Sequence, residues 1–232
     1  AKTLFPYTTL FRSAVVLFAK PESLKFAQCM IKMARFRGTT KLGDFIDNKQ
    51  IYGNAFTLLE DADAFLTRHL SIASFFNPTQ FKRIDKPTLP VIAIREALVN
   101  AICHRDYSDN MTDISLAIYD DRLEIWNSGS LLKNLTVESL KIKHTSILRN
   151  KLIANVFYVR GLIERWGIGT NKMLDLCTKE GLPEPKFEEQ FGGLEVIFKF
   201  ADTITPETNK KQKIQHNELS QRQKIILNFI KK

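Results

Sequence analysis

Between Pro90 and Tyr107 the chain reads PVIAIREALVNAICHRDY, a run whose apolar residues recur at helical rather than alternate spacing. Val91, Ile94, Leu98 and Ile102 fall on one face of the predicted helix, and Ala93, Glu96, Ala97, Asn100 and His104 on another. Pro90 suits its first turn, where a missing N–H would be unpaired anyway. Glu96 and Asn100 stand one turn apart in otherwise apolar surroundings. Burying a carboxylate and an amide costs free energy unless each finds a partner.

Elsewhere the pattern divides the chain into short elements. AVVLFA, Ala14 to Ala19, reads as a buried strand. Pro21 to Phe36 is apolar with basic interruptions and fits a helix, a strand or one of each; Gly38 to Lys49 reads as a connector. Ala55 to Leu70 places Leu58, Leu59, Ala62, Phe65 and Leu66 at helical spacing. Phe75 to Pro87 reads as an edge strand and loop. Ile114, Leu116 and Ile118 alternate, and Leu123 and Ile125 resume the alternation beyond Asp120-Asp121, which predicts a hairpin with an acidic turn. Helices are predicted over Thr136 to Ile142 with Thr136 as cap, over Leu148 to Val159, and over Asn171 to Lys179, the last ended by Gly181 and Pro183. Leu194, Val196, Phe198 and Phe200 alternate with Glu195 and Lys199 as a final strand. Strands and helices do not follow regular βαβ order, so the expected fold is α+β: a two-layer sandwich, a mixed sheet with helices on one face.

Composition narrows the class. The 232 residues have an ordinary hydrophobic share of 44%, enough for a packed core. Cys29, Cys103 and Cys177 are scattered and lack metal-site spacing, which suits a reduced, cytoplasmic protein. No apolar run approaches a membrane span. The net charge of +9 is uneven: residues 1–45 carry eight basic and two acidic residues, 46–200 nineteen and twenty, and 201–232 seven and three. A neutral centre between basic ends suits DNA contact through the flanks, and equally a pair of solvated lysine-rich tails. The opening AKTLFPYTTLFRS, residues 1–13, resembles a translated sequencing adapter and is set aside from fold reasoning.

Two further stretches could carry chemistry: Asn127-Ser128-Gly129 after the hairpin, and Gly167-Ile168-Gly169-Thr170 ahead of the last helix. Paired glycines at a helix start let backbone N–H groups approach phosphate, although G-x-G alone is usually only a turn. His104-Arg105-Asp106 with Asn110 imitates a kinase catalytic loop, but the spacing is one residue short and no kinase glycine loop or D-F-G accompanies it. No G-x-x-x-x-G-K-[ST] phosphate loop occurs.

The order E-x-x-x-N on a helix, a strand ending in a glycine turn, then G-x-G before another helix resembles the GHKL ATPases, the superfamily of gyrase B and the histidine kinases. Arg95 to Tyr107 is similar to the R-E-A-x-x-N-A-x-x-H-R-D-Y run of its "RecG-like C-terminal" branch of transcriptional regulators, and the resemblance covers residues 14 to 232. It implies an ATP-binding domain over 46–200 that hydrolyses slowly or not at all and acts as a switch. It implies the end of an Alba-type, Schlafen-associated DNA-binding domain over 14–45, a linker over 201–217, and the first helix of a winged helix over 218–232, where Leu219-Ser220-x-x-Gln223 has a capping-box pattern. DNA would be met through the flanks, self-association is compatible with the pattern, and no membrane is involved.

The resemblance also implies roles. Glu96 would orient or activate water, Asn100 would hold Mg through its amide oxygen, and His104 would stand beside the phosphates. Asn127 and Gly129 replace the family's D-x-G adenine reader with a neutral acceptor. Gly167, Gly169 and Thr170 would cradle phosphate, and Arg149 of the Arg149-Asn150 pair would contact it. Against these roles stand plainer readings: Glu96 exposed, Asn100 a core amide bonded to backbone, Asn127 part of a hairpin turn, Arg149 a surface ion pair, and the whole domain a scaffold that binds no nucleotide.

Overall fold

The predicted hairpin forms the centre of the main sheet: β5 (Ile114–Ile118) and β6 (Arg122–Ser128) pair antiparallel across Tyr119–Asp121. The computed structural model describes residues 4–20, 27–70, 72–77, 82–133, 135–142, 147–163 and 169–201, with backbone alone for 4–7, 27, 72–77 and 82–86. All of these lie in one compact unit. Gly167 and the expected linker and winged-helix start lie outside the described residues.

Two further strands precede the hairpin, β1 (Met30–Phe36) and β2 (Phe45–Tyr52), and two follow, β7 (Lys186–Gln190) and β8 (Gly193–Lys199). The six-stranded order is β2-β1-β5-β6-β8-β7. Every neighbouring pair is antiparallel except β1 and β5, which run parallel with Ile31 opposite Ile114 and Met33 opposite Leu116. The sheet is therefore mixed, as expected. Ile31, Met33, Leu116, Leu123, Ile125, Val196 and Phe198 are buried in one core cluster with side chains from the helices.

The helices are α1 (Leu4–Phe18), α2 (Ala55–His69), α3 (Val91–His104), α4 (Lys151–Val159) and α5 (Gly169–Lys179). In α2 the Asn54 side chain caps the first turn, accepting from the N–H groups of Phe56 and Thr57, both at 3.1 Å. In α3 the N-cap position is Pro90, whose carbonyl accepts from Ala93 and Ile94. Ala93, Ile94, Ala97, Leu98, Val99, Ala101, Ile102 and Cys103 are all buried, so the helix is enclosed on most sides. Val91 is the exception on its expected face and is exposed.

Several expectations change. AVVLFA is the last part of α1 rather than a strand: Ser13, Val16 and Leu17 are buried together, a helical spacing, where a strand would bury alternate residues. Gly38 to Lys49 runs into β2, whose residues are at least partly exposed on both faces because it is an edge strand, so it lacks the apolar alternation that marks a half-buried one. Phe75 to Pro87 is not one edge strand but part of a separate antiparallel pair, β3 (Ile72–Asn77) and β4 (Lys82–Pro87). Strand β7 was missed because KFEEQ buries only Phe187 fully. The expected boundary between residues 45 and 46 falls at the start of β2, inside the sheet that also carries β5 and β6. Over Thr136 to Ile142 only Ser139–Lys141 forms a 3-10 turn, with Thr136 Oγ1 accepting from Ser139 N–H at 3.2 Å.

Candidate functional site

Three helices and the sheet line an open cavity of about 630 Å³. From α3 come Glu96, Asn100, Cys103 and His104, spaced so that all meet the same side of the helix. From α4 come Lys151, Asn155 and Tyr158, and from α5 Gly169, Thr170 and Lys172. The sheet contributes only apolar side chains, Phe187, Leu194 and Val196, and Leu131, Leu135 and Leu140 extend that apolar wall. Five of the nine sequence-selected residues thus meet at one cavity: Glu96, Asn100, His104, Gly169 and Thr170.

Glu96 and Asn100 are joined directly. Asn100 Nδ2 donates to Glu96 Oε1 at 3.1 Å. A carboxylate can only accept, so the amide must present nitrogen to Glu96 and keep its Oδ1 for another donor or a cation. Among the described residues its partner is the Glu96 carboxylate rather than a backbone group. The Glu96 carboxylate lies against Gly169, the first residue of α5, where helix N-terminal N–H groups favour negative charge. Just beyond, Thr170 Oγ1 and Asn171 Oδ1 are buried with no hydrogen-bond partner. A buried polar atom left unpaired costs roughly 1–3 kcal/mol; of the two residues Thr170 lines the cavity, where a ligand or water would complete its hydroxyl. Asn171 was not among the sequence-selected residues; its position beside Thr170 was the only signal. Burial, with the Glu96 charge second, pushes the Cys103 thiol up to about 12, so it lines the cavity as a neutral group.

Asn127, Gly129 and Arg149 lie off this cavity. Asn127 is buried opposite the cavity-lining Leu194, and its Nδ2 donates to Ser128 O at 3.0 Å. Gly129 adopts φ 110°, a region that favours glycine, and a Cβ there would sit 3.1 Å from both His104 O and Asp106 N. Ser128 O accepts from Asp106 N–H at 2.9 Å, so this loop pins the end of α3 to the end of β6. Arg149 donates to Ser130 O and stands 3.9 Å from Asp106, beside a second hollow shared with Lys133 and Phe191. Its neighbour Asn150 donates to Cys103 O at 3.0 Å and to Arg105 O at 2.7 Å, tying the start of α4 to the end of α3. The fully buried Arg105 guanidinium in turn donates to the carbonyls of Asp106, Asp109 and Thr112. The loop after α3 is thus built from the inside, and it fixes His104.

The residues fit a Mg–nucleotide complex in three respects. A single amide oxygen is a sufficient protein ligand for Mg, which otherwise keeps waters and phosphate oxygens. A helix start with a partnerless threonine hydroxyl, which can donate, suits phosphate. An apolar wall of sheet residues suits a flat base. Among the described residues no three His, Cys, Asp or Glu side chains gather as a metal cage. Nor is any helix among them long and apolar enough to cross a membrane.

Comparison with known proteins bears on the fold. Residues 112–198 match the family described as the putative ATP-dependent DNA helicase recG C-terminal, an ATPase-like family. The match starts after α3, so Glu96, Asn100 and His104 stand outside it. The crystal structure of the DIP2311 protein from Corynebacterium diphtheriae superposes with a TM-score of 0.70 at 18% identity, over 82% of this chain and 37% of that one. At that identity the likeness concerns the fold, and the chain spans little more than a third of that protein. A search of the curated proteins gave no match.

Proposed function

We propose that the cavity binds ATP with Mg. Glu96 is the group that orients or activates water, Asn100 Oδ1 is the metal ligand, and the start of α5 at Gly169 and Thr170 receives the phosphates. The observation that carries this reading is the contact chain Asn100–Glu96–Gly169: the amide gives its nitrogen to the carboxylate, and the carboxylate rests on the first residue of α5. One helix therefore brings a base and a metal ligand to a phosphate-accepting helix start. In this reading turnover is slow, and occupancy rather than product carries the signal. The basic ends suit a DNA-bound regulator, with the nucleotide domain as its switch.

One observation favours a second reading, a scaffold that holds flanking parts and takes no nucleotide. Asn127, expected to read adenine, is buried off the cavity wall with its amide nitrogen donated to backbone.

Thermal melting with ATP, with and without Mg, separates the two, and Asn100→Ala makes the test specific. The expected result is a parent stabilised by ATP with Mg. The expected variant melts within about 1 kcal/mol of the parent without ligand, as suits one half-buried hydrogen bond, and gains nothing from Mg. A variant that still needs Mg for ATP stabilisation would remove Asn100 from the metal. A parent indifferent to ATP would favour the scaffold.

A further inference from the structure

The cation expected at the phosphates, Arg149, is engaged elsewhere: its guanidinium donates to Ser130 O, packs beside Gly129 and stands at a separate hollow. Two residues further on, the cavity receives a different cation. Lys151 is the first residue of α4, and Lys151, Ala154, Asn155 and Tyr158 all line the cavity at i, i+3, i+4 and i+7. Four residues of one helical stripe cannot meet one cavity by accident of a single rotamer, so α4 as a whole presents this face. Across the cavity, α5 contributes Lys172 one turn beyond Gly169. Asn150, bonded to the carbonyls of Cys103 and Arg105, fixes the start of α4, and hence the backbone that carries Lys151, relative to the end of α3.

The division of polarity is the second observation. The sheet residues of the lining are apolar, and all its ionisable residues come from the three helices. Among those described, two lysines stand against one carboxylate, Glu96. A wall that is apolar on the sheet side and net cationic on the helix side fits a ligand with a flat, apolar end and a polyanionic end.

We infer that Lys151 and Lys172 form a cationic clamp that grips the terminal phosphates from α4 and α5, so that the site selects its ligand by the number of phosphates. The inference rests on the nucleotide reading for ATP itself but is tested independently of it. Lysine ammonium groups act on phosphate as mobile point charges with three donors each. Their contribution therefore scales with the ligand's charge and is screened by salt. Lys151 is exposed, so its removal leaves the core intact.

Calorimetric titration of the whole chain with inorganic tripolyphosphate, ATP and adenosine tests it, using Lys151→Met and Lys172→Met, which keep an apolar stem and lose the charge. Lys151→Arg serves as the charge-retaining control. Each Met variant is expected to weaken tripolyphosphate or ATP binding by about tenfold or more, equivalent to about 1.4 kcal/mol, and to leave adenosine unchanged; the Arg variant is expected to restore most of the loss. Met variants that bind ATP as tightly as the parent overturn the clamp and leave the nucleotide reading standing. Equal losses for adenosine and ATP also overturn it, because the lysines would then be acting through the cavity's shape. A parent that binds tripolyphosphate through these lysines but not ATP ends the nucleotide reading and keeps the clamp, and a parent that binds neither ends both.

Discussion

Glu96 and Gly169 occupy each other's space: a Cβ built on Gly169 would lie 1.9 Å from Glu96 Oε1 and 2.7 Å from its Cδ. The glycine is needed for close approach between α3 and α5, because φ at this position is not in the left-handed region. Glu96 is long enough to swing aside, so Gly169→Ala need not unfold the protein. At the first residue of a helix the interior penalty for glycine does not apply in full, so alanine there changes helix propensity little. The expected outcome is a melting temperature close to the parent's, with ATP stabilisation reduced or lost. A Gly169→Ala protein with full Mg-dependent ATP affinity would show that the contact has no part in the site.

Glu96→Gln keeps the length of the side chain and an oxygen to accept from Asn100, while it removes the basic carboxylate. ATP stabilisation is expected to persist and phosphate release to fall to background. A variant releasing phosphate at the parent's rate would take Glu96 out of the chemistry.

Asn150 is a joint rather than a reactive group. Asn150→Ala leaves the carbonyls of Cys103 and Arg105 without their side-chain donor at the end of α3. The expected cost is about 1–3 kcal/mol, which at this chain length is about 2–4 °C of melting temperature per kcal/mol. A melting curve superimposable on the parent's would show that other contacts hold α4 to α3.

Asp106 gives a pH test. Burial alone would raise its carboxyl, but the Ser108 hydroxyl and N–H, with Arg149, outweigh burial and hold it below the ordinary value of 3.8. Between the lowered native value and the ordinary one the unfolded chain binds more protons, so stability rises with pH in that window. The stabilisation is complete above 3.8 and lost as pH falls through the native value. Ser108→Ala should therefore melt below the parent at neutral pH, and the gap should close as acid protonates Asp106 in both proteins. A gap that persists unchanged in acid would assign the loss to packing rather than to the carboxylate.

The elements that stand half-buried could be read from the chain. Ile114, Leu116 and Ile118 alternate because one face of β5 meets the core, and α2 shows its apolar stripe for the same reason. Glu96 and Asn100 could be paired in advance because the helix repeat alone sets i and i+4 side by side. Edge strands were illegible: β2 and β7 are specified by backbone pairing to a neighbour, and backbone pairing leaves little mark on side-chain type. The sheet order, with β1 parallel to β5 across more than eighty residues of chain, is likewise set by contacts between distant segments. The same limit governed the site. Sequence supplied the donors on α3 and α5, which are local patterns. It could not show that Arg149 turns to Gly129 and Ser130 while Lys151 meets the cavity. Nor could it show that Asn127, paired with the cavity-lining Leu194, spends its amide nitrogen on backbone and does not itself line the cavity, or that Asn150 bolts α4 to α3. Which of two neighbouring cations faces a ligand depends on the direction in which a helix leaves its loop, and here that direction is set by two hydrogen bonds to carbonyls more than forty positions away in the chain.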